Sequence, residues 1–129
     1  MSFKAVFKVD GEEFNVLNSS YSLHQETDAT GRPSTITRGG KVTITVESTG
    51  SQKLSDWMFN NFETKDVSIV YFKRDTEASL KELRMEMTYA VKYTETFDAN
   101  GKTPMIETIT VSAKTISMGN GEHRNDWAL

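Results

Sequence analysis

Leu83, Met85, Met87, Tyr89, Val91 and Tyr93 alternate along the chain with Arg84, Glu86, Thr88, Ala90 and Lys92. Strand side chains leave on opposite faces in turn, so this period predicts a long β-strand with one face in a core and a mostly polar face outside. The period recurs upstream. Phe3, Ala5, Phe7 and Val9 oppose Lys4 and Lys8, Asp10-Gly11 is a favoured two-residue hairpin turn, and Phe14 and Val16 open a second strand that continues through Leu17, Tyr21 and Leu23. Val42, Ile44 and Val46 against Thr43 and Thr45 predict a third strand over 41–47. Residues 67–72 are apolar on both faces, which predicts a strand covered on both sides. The long strand runs to about Phe97, and Asp98-Ala99-Asn100-Gly101 turns it into a hairpin partner over 105–117.

One segment breaks the period of two. Leu54, Trp57, Met58 and Phe62 fall at i, i+3, i+4 and i+8, which predicts a short amphipathic helix over 51–62 with Ser51 as N-cap and Trp57 on the core face. That helix is available to cover one side of the strand at 67–72. Residues 27–40 hold Gly31, Pro33, Gly39 and Gly40 with almost no apolar side chain, so they predict a long loop that is either mobile or a contact with a partner. Lys73-Arg74-Asp75 reads as a turn. Gly119-Asn120-Gly121 ends the regular structure and leaves a polar tail. Trp127 in that tail has no local apolar face, so it either folds back or inserts into a neighbouring subunit. Six or so strands and one short α-helix, with no internal repeat, predict a mainly β fold: a single domain over 1–129, closed as an antiparallel β-barrel that hides its sheet edges.

Composition narrows the function. A chain of 129 residues can bury a core without disulfides or metal, and the complete absence of cysteine excludes disulfides, thiolate catalysis and the usual zinc sites. A net charge of −3 with no basic run longer than Lys73-Arg74 argues against nucleic acid, and no apolar run is long enough to cross a bilayer as a helix. Met1-Ser2-Phe3-Lys4 leads straight into a strand pattern, so synthesis is expected to end in the cytoplasm.

Reactive chemistry finds no constellation. His24 and His123 lack a metal-ligand neighbour at helical spacing, and His24 beside Gln25-Glu26 reads as a surface residue before it reads as a general base. No serine sits in a Gly-x-Ser-x-Gly elbow. Asp10, Glu12 and Glu13 crowd one turn without the oxygen spacing of a calcium loop, and the Gly39-Gly40 and Gly119-x-Gly121 pairs lack the setting of a phosphate loop. Neither an enzyme, a metal nor a cofactor is expected. Threonine carries the more unusual signal: Thr43, Thr45, Thr88, Thr94, Thr96, Thr108 and Thr110 fall on the polar sides of strands. Such faces suit a solvent-facing sheet, or the wall of a water-filled channel built by several copies. A small barrel that binds a ligand inside itself is the alternative from another class.

Taken in order, the segments resemble a known family. Phe3-Lys4-Ala5 leads to Val9-Asp10-Gly11, followed by Tyr21-Ser22-Leu23-His24-Gln25-Glu26-Thr27-Asp28, Gly31-Arg32-Pro33, Trp57-Met58-Phe59-Asn60-Asn61-Phe62, Lys73-Arg74-Asp75, and Ile116-Ser117-Met118-Gly119-Asn120-Gly121 with Trp127. This ensemble resembles the compact branch of the tube-forming proteins of type VI secretion systems, the Hcp or TssD family, over essentially the whole chain. The resemblance implies a β-barrel with one helix, hexameric rings stacked into a hollow tube, a contractile sheath and a spike as partners, effectors carried in the ring, and export through the machine. It makes Thr43, Thr45, Thr108 and Thr110 candidates for the lumen wall. Thr27, Asp28, Gly31, Arg32 and Pro33 become candidates for contacts between subunits, together with Trp127.

Overall fold

The computed structural model describes residues 3–34, 39–60, 62–73, 79–102, 104–119 and 121–125. The elements run β1 (Phe3–Val9), β2 (Glu12–Tyr21), β3 (Lys41–Glu47), α1 (Lys53–Phe59), β4 (Thr64–Lys73), β5 (Ser79–Phe97), β6 (Met105–Met118) and β7 (Gly121–Arg124). Every pairing between them is antiparallel, in the order β3-β2-β1-β4-β5-β6-β7, and β3 also pairs with β6. Six strands therefore close into a barrel, as the element count predicts. The first turn has Asp10 at φ 50° and Gly11 at φ 82°, the left-handed pair that a two-residue hairpin needs to match strand twist.

Side chains from all six strands fill the barrel. Phe7, Val9, Phe14, Val42, Ile44, Val46, Val67, Ile69, Leu83, Met85, Ile109 and Val111 are buried there, with Leu54 and Trp57 of α1 in the same cluster. The double-sided burial expected for β4 is present, with Val67 and Ile69 in the core cluster and Val70 buried on the opposite parity. The helix does not supply that second cover: it packs along β5 and sends Leu54 and Trp57 into the core.

The period of β5 is deceptive. Leu83 and Met85 are buried, but Met87 has φ 49° beside a register shift against β4, and from there Thr88 and Ala90 take the inward places. Met87 and Val91 are exposed. A second shift against β6, between Ala90 and Lys92, returns Tyr93 to the core side. A bulge adds one residue and so exchanges the faces of everything beyond it, and two bulges cancel, leaving an unbroken pattern in sequence over an inverted segment in space.

Two further boundaries differ from the sequence reading. The helix starts at Lys53, after Gln52, with the Lys53 N–H donating to Ser51 Oγ at 3.2 Å, and it stops at Phe59, so Phe62 is exposed and outside the core. Regular structure also does not end at Gly119: Gly121–Arg124 forms β7 on the edge of β6. Trp127, Asn61, Asn120, the turn at Arg74-Asp75 and loop residues 35–38 lie outside the described residues.

Candidate functional site

β3 and β6 present one face to the core and one outward. Val42, Ile44, Val46, Ile109 and Val111 are buried on the first; Thr43, Thr45, Thr108 and Thr110 stand on the second. Thr43 Oγ1 lies 3.2 Å from Thr110 Oγ1, and Thr45 Oγ1 lies 3.1 Å from Thr108 Oγ1. Registers extend these pairs into rows across four strands: Asn18, Thr45, Thr108 and Thr94 form one, and Ser20, Thr43, Thr110 and Lys92 the next. β-Branched hydroxyl residues favour the strand and pair across it. The result is a wall that is hydrophobic inside, hydroxylated outside, and nearly free of charge in its middle.

The predicted contact residues of the loop come together in a small arm. Asp28 N–H donates to Arg32 O at 2.8 Å, Gly31 N–H to Asp28 O at 3.0 Å, and Ser34 N–H to Glu26 O at 2.6 Å, while Thr27 bridges to Pro33. Asp28 Oδ1 accepts from the Thr30 hydroxyl at 2.7 Å and from the backbone N–H of Thr30 at 2.9 Å and of Arg32 at 3.1 Å. The Thr30 hydroxyl bond, with those from the backbone, holds the Asp28 carboxyl below its ordinary value of 3.8. Gly31, at φ 87°, supplies the left-handed turn. Residues 27–34 are all exposed, so the arm is ordered by its own bonds and not by burial.

An ionic cluster ties α1 to the first hairpin. Lys65 Nζ is 2.5 Å from Asp10 Oδ2 and 2.8 Å from Glu63 Oε1, and Lys53 Nζ is 3.7 Å from Asp10 Oδ2. The hydrogen bond from Lys65 lowers the Asp10 carboxyl against the opposing effect of desolvation. Burial works against the Lys65 charge, but its bonds to Asp10 and Glu63 outweigh that and raise it above 10.5. At the same end Tyr93 OH donates to Glu107 Oε1 at 2.5 Å, and burial first, then this bond, pushes the phenol up. Glu107 is only 1% exposed and its Oε2 has no partner among the described residues. Sequence reading passed over both, because Glu107 stands at an apolar parity in β6 and Tyr93 completes it from another strand. Among the described residues no group of three His, Cys, Asp or Glu side chains could hold a metal ion.

Side chains of all six strands fill the barrel and an ordered row of hydroxyls lies on its outer face, an arrangement suited to a structural protein. Residues 1–128 match the family profile described as hemolysin coregulated protein Hcp (TssD). The chain belongs to this family and is a tube subunit of the type VI secretion class. It is 55% identical to Hcp1 from Flavobacterium johnsoniae, with a TM-score of 0.90, covering 95% of this chain and 99% of that one. Hcp1 from Salmonella typhimurium shares the fold at 15% identity and TM-score 0.75, covering 92% and 86% of the two chains. A chain of the PVC sheath–tube complex, an extracellular contractile injection system, shares it at 22% identity and TM-score 0.57, covering 90% and 88%. No curated protein matches the chain. No helix among the described residues is long and apolar enough to cross a membrane.

Proposed function

We infer that the whole chain acts as one tube domain, closing with five copies into a hexameric ring, and that rings stack into the inner tube of a type VI secretion machine. The outer face of β2, β3, β6 and β5 is the bore wall, so Thr43, Thr45, Thr108 and Thr110 face the lumen. Their paired hydroxyls support this reading most directly: a wall that binds water evenly and carries little charge lets a protein cargo pass without a sticking point. The arm of Thr27, Asp28, Gly31, Arg32 and Pro33 reaches a neighbouring subunit, as does Trp127. Assembly precedes export, the sheath and spike move the tube, and effectors ride within it. The chain's task in this reading is structural, which its membership of a tube-protein family supports.

Ring closure requires two different complementary patches on each copy. Light scattering on the eluting protein tests this, with a mass near six times the 14.5 kDa subunit expected. A single subunit mass over a wide concentration range would rule the reading out.

A further inference from the structure

Three phenylalanines stand in water at one end of the barrel: Phe59 is 81% exposed, Phe62 87% and Phe97 65%. Topology gathers them there. Phe59 and Phe62 lie on the connection from the end of β3 to the start of β4, and Phe97 is the last residue of β5, which runs antiparallel to β4. Phe62 also sits at φ 66°, a region where bulky side chains are rarely found and glycine is at ease. Its turn is well held. The Trp57 indole N–H donates to Glu63 O at 3.1 Å, Glu63 N–H donates to Asn60 O at 3.3 Å, and the Asn60 amide donates to the Glu63 carboxylate. The fold accounts for the turn but not for the phenyl ring on it. Exposed aromatic side chains on one end of a small barrel suit a contact.

The two ends are complementary. At the phenylalanine end the connections and strand ends carry Asp10, Glu12, Glu13, Glu47, Asp56, Glu63, Glu95 and Asp98 against Lys53, Lys65 and Lys102, and of these three Lys53 and Lys65 are already engaged by Asp10. The opposite end exposes Leu23 and Leu80, and its described connections and strand ends carry Lys4, Arg32, Lys41, Lys73 and Arg124 against Glu26, Asp28 and Glu122. An apolar, acidic end facing an apolar, basic end is a head-to-tail contact; such a contact closes into a ring or propagates along an axis, and complementary patches at opposite ends of one barrel suit propagation.

We propose that Phe59, Phe62 and Phe97 form the axial docking face of the subunit, and that its occupant is the Leu23 and Leu80 end of a second copy in the next ring. This rests on the tube reading above and adds which end of the barrel makes the ring-to-ring contact and with which side chains.

The test compares wild type, Phe62→Gly and Phe97→Ser by sedimentation velocity over a concentration series and by negative-stain microscopy, with thermal unfolding run alongside. Phe62→Gly removes the ring and the strained backbone together, so its fold is not at risk, and Phe97 is exposed. The expected result is unchanged rings whose association with one another needs at least tenfold more protein than wild type. Variants that stack like wild type overturn the proposal. So do folded variants that fail to form rings, because the phenylalanines then belong to the contact within the ring, and so do wild-type rings that never associate. A wild-type protein that stays a single chain defeats the underlying tube reading instead.

Discussion

The side-chain amide of Asn125 occupies the space that a Cβ on Gly40 would need. Asn125 Nδ2 donates to Ala113 O and to Gly39 O, each at 3.0 Å, and a Cβ built on Gly40 would also stand 2.9 Å from Ala113 O. β3 and β7 lie along the same edge of β6, and these bonds fill the gap between them: Ala113 N–H reaches Gly40 O at 2.7 Å, and Asn125 N–H reaches Lys114 O at 2.6 Å. The barrel seam is thus completed by an amide and not by a strand.

Gly40→Ala is therefore expected to destabilise the protein on the order of 3 kcal/mol, since a φ of 112° is strained for alanine and the methyl meets backbone. Asn125→Ala leaves two carbonyls without their donor and costs about 1–3 kcal/mol. Urea unfolding measures both. A Gly40→Ala midpoint equal to wild type would contradict the seam.

Tyr93→Phe removes the one donor that reaches Glu107, a carboxylate buried with no other partner among the described residues. The expected cost is about 2 kcal/mol, because the buried oxygen loses its bond and stays out of water. Tyr93→Phe combined with Glu107→Leu should recover much of that loss, as replacing both partners with apolar groups is often near neutral. A double variant less stable than the single one by urea unfolding would refute the pairing.

The pH dependence is set on the acid side by Asp10, Asp28 and Glu63. The hydrogen bond from Lys65 holds Asp10 below 3.8 and Glu63 below 4.5, and that from the Thr30 hydroxyl holds Asp28 below 3.8. A depressed carboxylate contributes stability that is fully present above its unfolded value and is lost as pH falls through the folded one. The thermal midpoint should be flat from neutrality to about pH 5 and fall below about pH 4. Asp10→Asn should flatten that fall. Lys65, raised above 10.5, has the opposite sign: its contribution is present below that value and fades above it.

Much of this fold is legible in the sequence, and the exceptions share a cause. The β1–β2 hairpin, β3, the β5–β6 hairpin and the outward threonines of β3 and β6 follow from local alternation and turn residues, because each is decided within a few neighbouring positions, whereas Thr88, expected on the polar face of β5, is buried. The inversion of Met87 to Val91 is not local. It depends on register against β4 and β6, and Asp66 Oδ1 accepting the Met87 N–H at 2.9 Å from a different strand holds the bulge open. Phe62 fits the helical spacing on paper, but the turn anchored by Trp57 and Glu63 ends the helix first. Glu107 breaks an apolar parity and finds its donor on another strand. The arm is legible as a loop, from Gly31 and Pro33, though the Asp28 bonds that order it are not.

Trp57→Ala should be among the most damaging single changes, at about 3–5 kcal/mol, since it empties the junction between α1 and the barrel and removes the donor to Glu63 O. A small effect in calorimetry would mean that α1 is not part of the cooperative fold.

The bore wall is the centre of the account, and the lack of cysteine makes it directly accessible. Thr45→Cys creates a unique thiol, which can be tagged with a heavy-atom maleimide and located by electron microscopy of the assembled ring. Six spots of density inside the bore are the predicted result. Density on the outer circumference, or between subunits, would contradict it.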